Sequence, residues 1–233
     1  MMRKYRPDYV SLTEYDKRAS RNKARGSLVI AAQLPSLGQM ESPRLRFVRT
    51  DEGAFANALT TAQQAAATLE PRINALFNAL QMGEKDRDKE TILRWQAGYD
   101  LAMGRVLAVK VRTETYNAML AKAKRELKFK EPKNNTWVLA PSSEISVGSQ
   151  YEKLAAKATT YLQRVIDEHP DTPWAMLAQR ELKDPLSWTW KEDFTDLAPP
   201  RVAAADAAAA PAPRNDAAAM LKRPLPKRPP PKL

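Results

Sequence analysis

The chain has no cysteine and only one histidine. Disulfides, thiolate metal ligands and thiol catalysis are therefore excluded, and a transition-metal site would have to rest on carboxylates almost alone. Glycine is scarce, 7 of 233 residues, so material for a phosphate-cradling loop is lacking. No run of about 18 apolar residues occurs, so no segment reads as a membrane-spanning helix. The start, from Met1 to Pro7, is charged and aromatic with no apolar stretch behind it, and does not read as a signal peptide. A soluble protein, cytoplasmic by default, is the resulting expectation. The acidic groups Asp86/Asp88/Glu90 and Glu192/Asp193/Asp196 lack calcium-loop spacing and read as solvated turns. His169, in a Glu-His-Pro turn, reads as a cation facing a helix C-terminus and not as a catalytic base. No catalytic, cofactor-binding or metal-binding residue is expected, and the chain reads as non-enzymatic.

Ala, Leu, Lys, Arg and Glu dominate, which favours helices over sheets. The net charge of +11 is unevenly placed. Residues 1–49 carry 11 Lys/Arg against 4 Asp/Glu, and 199–233 carry 7 against 2, which leaves the middle close to neutral. Half of the 18 prolines fall in 199–233. The expected class is all-α, with a long antiparallel helical hairpin packed with a tetratricopeptide-like helix pair and a disordered C-terminal tail. The expected divisions are a basic segment of short helices at 1–50, the long hairpin at 51–130, a linker at 131–148, the helix pair with an aromatic segment at 149–198, and an Ala/Pro/Lys-rich tail at 199–233.

Within 1–50, Ser11 with Glu14 forms a capping box for a helix through Arg18, and Arg44–Arg49 alternates basic and apolar residues, as a short strand or an extended arm does. Phe55, Leu59, Ala62, Ala66, Leu69, Ile73, Leu76, Phe77 and Leu80 recur at helical spacing, with Pro71 kinking the helix or starting a new one. Gly83 is its C-cap candidate, followed by an exposed charged turn at 84–90. Between 91 and 130 two rows at seven-residue spacing run in register. One is Trp95, Ala102, Val109, Tyr116 and Ala123; the other is Tyr99, Val106, Thr113, Leu120 and Leu127. They describe one amphipathic helix, about 60 Å long if wholly helical, with Gly98, Ala102 and Gly104 permitting close approach near its turn end. Pro132, Pro141 and Gly148 mark a break around 136–140, an apolar piece expected to tuck against the helices. Ser149 with Glu152 reads as a second capping box, and Thr172-Pro173 as the start of the next helix.

Four stretches carry a family resemblance: Met2-Arg-Lys-Tyr-Arg-Pro-Asp-Tyr-Val10, the run from Arg94 to Thr113, His169-Pro-Asp-Thr-Pro-Trp-Ala175, and Glu181-Leu-Lys-Asp-Pro-Leu-Ser-Trp188. Together they resemble the C-terminal region that follows the von Willebrand factor type A domain in large planctomycete proteins. The resemblance implies a bacterial protein of protein–protein interaction character. The family's Asp-x-Ser-x-Ser metal loop does not occur here, so no metal residue carries over. The chain is then either a stand-alone accessory module or a piece of a longer protein whose metal-binding half lies elsewhere.

Function is thus expected to be that of a helical scaffold with an unidentified protein partner, Trp174, Trp188 and Trp190 being the candidate contacts, although packing in the core is the commoner use of such tryptophans. The alternative is nucleic-acid or anionic-surface binding through the basic ends, with Lys222, Arg223, Lys227, Arg228 and Lys232 as contacts.

Overall fold

Leu93–Glu126, helix α5, is 34 residues long and organises everything around it. The computed structural model describes residues 2–7, 9–35 and 43–198. The body is Met1–Thr195; the remaining unit, Asp196–Leu233, is described only over its first three residues. The tail at 199–233 and its five candidate contacts lie outside the described residues. Preceding α5 are α1 (Leu12–Arg21), α2 (Lys23–Gln33), strand β1 (Arg46–Val48), α3 (Glu52–Ala67) and α4 (Glu70–Gln81); following it are β2 (Thr136–Ser142), α6 (Ser149–Glu168), α7 (Pro173–Lys183) and β3 (Ser187–Asp193). Among the described residues no helix is long and apolar enough to cross a membrane.

The protein is mostly helical, but it is not all-α. Three strands form an antiparallel sheet in the order β1-β2-β3, pairing Phe47 with Trp137, Leu139 with Trp190 and Pro141 with Trp188. The expected linker at 131–148 therefore holds the central strand. Its signal was hidden because each partner strand is remote in sequence and because Pro141, read as part of a break, lies within the strand itself. Alternate residues Trp137, Leu139, Trp188 and Trp190 face the helices, where they join Phe47, Phe55, Leu59, Tyr116 and Leu120 in one core. A second core between α2, α4, α5 and α6 holds Tyr99, Met103, Leu107 and Ala158.

Helix α5 is buried on more than one face. Of the two heptad rows, Tyr99, Val106, Thr113, Tyr116, Leu120 and Ala123 are buried, whereas Trp95, Ala102 and Val109 are only half-buried. Leu101, Leu107 and Val111, outside both rows, are also buried because α6 covers that side. A single stripe therefore understates the helix, which is a central strut covered on more than one side while Arg105 stays exposed. Along α4 and α5, Leu80 meets Tyr99, Asn74 meets Lys110 and Glu70 meets Asn117, so the two helices run in opposite directions. Gly104 serves α6 and not α4: a Cβ there would lie 2.7 Å from Leu162 Cγ. Gly83, whose Cβ would lie 2.6 Å from Ala24 Cα, sets the closest approach to α2.

Local signals fare unevenly. Ser11 accepts from the Glu14 amide, as the capping box implies, although α1 continues to Arg21. Pro71 opens a new helix. Gly83 is not a helix C-cap: α4 ends with Met82 at that position, and Gly83 begins a 3-10 helix over Glu84–Lys89. That segment is no solvated turn, since Arg87 and Glu90 are buried. The capping box at Ser149 does not form. Gly148 takes the N-cap position at φ 139°, so Ser149 is already within the helix. Thr172 does cap α7, accepting from the Ala175 amide while donating to the His169 carbonyl.

Candidate interaction cleft

Charged side chains inside the body are joints between elements. Arg87 donates from Nε to both Asp100 oxygens, at 3.0 and 2.9 Å, and from Nη2 to Glu168 at 2.7 Å. This ties the 3-10 segment to α5 and α6. Burial pushes the Arg87 pKa down, but the two carboxylates outweigh it and hold the guanidinium charged. Burial raises the Asp100 pKa while Arg87 pulls it back. The fork geometry, with both oxygens accepting, is that of a carboxylate, and the pair is ionised. Arg25 grips Glu90 in the same two-pronged way. Glu192 is held below the usual carboxylate range by the amides of Lys130 and Glu131 and the side chain of Asn134. The acidic groups at 86–90 and 192–196 are thus partly structural anchors.

His169 is not a surface cation. It is fully buried at the end of α6, and burial pushes its pKa below the ordinary value, so it is neutral. Its Nδ1 meets the Tyr5 hydroxyl. Tyr5 stacks on Trp174 at 5.5 Å between ring centroids, and the Arg94 guanidinium lies over the other ring. The structure does not bring the three candidate tryptophans together. Trp174 belongs to this N-terminal joint. Trp188 and Trp190 sit on β3 facing α5, their indole N–H groups donating to the carbonyls of Arg112 and Met119.

Trp188 also borders an opening. A cleft of about 650 Å³ lies where α3 and α5 meet the end of the sheet. Ala62, Ala65, Ala66 and Leu69 form one side, Thr113 and Tyr116 another, and Pro141 and Trp188 a third. The alanines keep the space open, because any longer side chain on that face of α3 would fill it. Tyr116 donates to the Arg44 carbonyl and packs edge-on against Trp188 at 5.8 Å. Arg112, also in the lining, is consumed by Glu181 and by the carbonyls of Glu181, Asp184 and Pro185. Thr113 Oγ1 is buried with no hydrogen-bond partner among the described residues. It shares this with Asn117 Oδ1, Trp137 Nε1, His169 Nε2 and Ser187 Oγ, and it is shielded from the cleft. Arg44 and Asp184, on the rim, are exposed. A separate hollow along α7, lined by Met176, Gln179, Arg180, Lys183 and Asp184, has only exposed side chains and no buried polar atom.

Sequence reading missed Arg44, Thr113 and Asp184. Thr113 alone left a trace, as a hydroxyl in an otherwise apolar heptad row. Among the described residues no group of three or more His, Asp or Glu side chains is placed to hold a metal ion. No family model, no curated protein and no solved structure matches this chain.

Proposed function

We propose that the chain is a non-enzymatic helical interaction module that docks a protein partner in the cleft beside Trp188. The observation that carries this reading is the cleft of about 650 Å³ itself, walled by Ala62, Ala66, Leu69, Tyr116 and Trp188, because a concave, mainly apolar surface is the usual form of a binding site. The internal pairing of Arg87, Asp100, Glu168 and His169 supports the same reading: these groups fix the frame and are not free for chemistry on a substrate. In this reading α4 and α5 form a helical hairpin, and α6 with α7 is a tetratricopeptide-like pair stacked on α5. The likeness to the region following a von Willebrand type A domain is part of the proposal, since it too points to assembly with other proteins. An anionic partner held by the basic ends has weaker support, as Arg25, Arg46 and Arg49 are paired with Glu90, Asp193 and Glu52.

Site-specific photo-crosslinking tests the proposal. A benzophenone side chain placed at Ala65, on the rim, should capture one discrete protein in cells, whereas the same group at Ile30 on α2 should not. Equal capture from both positions, or none from Ala65, contradicts docking at the cleft.

A further inference from the structure

We infer that single-stranded nucleic acid lies along a basic arm at the C-terminal end of α5, its phosphates on Lys128, Lys130 and Lys133 and a base on the ring of Phe194. This surface is separate from the cleft and belongs to neither basic end of the chain. Although the middle of the chain is close to neutral, residues 124–133 hold five Lys/Arg against two Glu. All five cations are exposed, and none has a hydrogen bond or ion pair through its side chain among the described residues. Of the two carboxylates, Glu126 is already paired with Lys122 at 3.8 Å, so the arm keeps a positive excess. Lys124 and Arg125 sit in the last turn of α5, where the helix dipole alone favours them. Lys128, Lys130 and Lys133 lie beyond the helix and have no such local reason.

The arm is held in shape. Leu127 leaves α5 in extended geometry, at φ −77° and ψ 117°. Leu127 and Phe129 pack onto the core while Lys128 and Lys130 stay exposed, so the two lysine stems leave the chain about 7 Å apart. Phe129 stacks on Trp137 at 4.7 Å between ring centroids. Glu192 accepts from the amides of Lys130 at 2.7 Å and Glu131 at 3.2 Å, and from the side chain of Asn134 at 3.1 Å. Just past Lys133, Asn135 Oδ1 accepts from the Thr195 amide at 2.8 Å, which sets Phe194, 56% exposed, beside the end of the arm. Cations followed by an open ring are the combination that holds single strands, with phosphates on the charges and a base on the aromatic face. Other anionic occupants fit less well. A duplex keeps its bases stacked inside and leaves the ring unused. A bilayer calls for apolar anchors beside the cations, and Leu127 and Phe129 are turned away from solvent. An acidic peptide is held by pockets as well as charge, and neither hollow described above includes a residue of the arm.

The test is fluorescence anisotropy of the full chain with a labelled oligothymidylate of about twelve nucleotides, between about 50 and 200 mM salt. Lys128→Gln, Lys130→Gln and Lys133→Gln together should weaken binding at least about tenfold at the lower salt. They should also flatten the slope of log K against log salt by about 2, the change expected for three phosphates of a single strand. Phe194→Ala should weaken binding about five- to a hundredfold and leave the slope unchanged. The same triple change at Lys85, Lys153 and Lys183, exposed lysines elsewhere on the body, should have little effect. Every one of these positions is exposed, so circular dichroism should be unaltered in all variants. Equal losses from the two triple variants overturn the arm as the site, as does loss only when Lys222, Arg223, Lys227, Arg228 and Lys232 are neutralised. A duplex of the same length bound as tightly, with Phe194→Ala silent, overturns single-strand recognition. Phosphatidylserine vesicles bound through the arm, with no binding of the oligonucleotide, overturn nucleic acid as the partner.

Discussion

The Tyr5 hydroxyl lies 3.0 Å from His169 Nδ1, across 164 positions of sequence. It pins the N-terminal 3-10 turn into the junction between α6 and α7. The ring of His169 is out of contact with solvent, and its Nε2 has no partner among the described residues. A proton added there would place an uncompensated charge in the interior.

Acid sensitivity follows with a definite sign. The folded-state pKa of His169 is lowered from 6.5, chiefly by burial. Between that lowered value and 6.5 the unfolded chain binds more protons than the folded one, so stability rises with pH there. The contribution is complete above 6.5 and is lost as pH falls through and below it. Thermal unfolding followed by circular dichroism should show the midpoint beginning to decline near that pH, and His169→Gln should flatten this part of the profile. Tyr5→Phe should cost about 1 kcal/mol yet keep the acid slope, because burial and not Tyr5 is the main cause. An unchanged slope in His169→Gln contradicts the assignment.

The Arg87–Asp100 joint should behave as a buried pair. Arg87→Met leaves Asp100, which is fully buried, with only Arg164 at 3.7 Å. A loss of about 3–5 kcal/mol is expected in urea unfolding, and Arg87→Met with Asp100→Leu should recover much of it. Additive losses in the double variant would mean that the charges do not couple.

Helix α5 can approach α6 closely only because Gly104 has no side chain. In Gly104→Ala the new Cβ meets Leu162 Cγ at 2.7 Å and Cδ2 at 2.8 Å. Overpacking of this kind costs about 1–3 kcal/mol. Combining it with Leu162→Ala should cost less than the sum of the two single changes, as read by denaturant midpoints.

Thr113→Val removes a buried hydroxyl that has no partner in the body. Stability should be unchanged or higher by up to about 1 kcal/mol. A loss of more than about 1 kcal/mol would mean that the hydroxyl is satisfied within the free protein.

Helices were legible in the sequence and the sheet was not, for a physical reason. The helical elements announce themselves through local spacing and local caps, such as Ser11 and Thr172. The sheet joins Phe47, Trp137 and Glu192, residues whose pairing has no local trace. Arg44–Arg49 did alternate as a strand does, but three residues of strand cannot reveal their partner. Burial of α5 was underestimated because a heptad row assumes one covered face, whereas α6 covers a second. The cleft arises at the meeting of α3, α5 and the unforeseen sheet, so only its Trp188 wall was anticipated. His169 was misread because a helix-terminal histidine looks the same in sequence whether it faces water or Tyr5.

Hydrogen–deuterium exchange on the full chain, free and saturated with the partner captured at Ala65, tests docking at the cleft most directly. Protection should appear in 61–69 and 184–189 and leave 23–33 unchanged. Protection confined to 23–33 or to α7, with 61–69 exchanging as in the free protein, contradicts it.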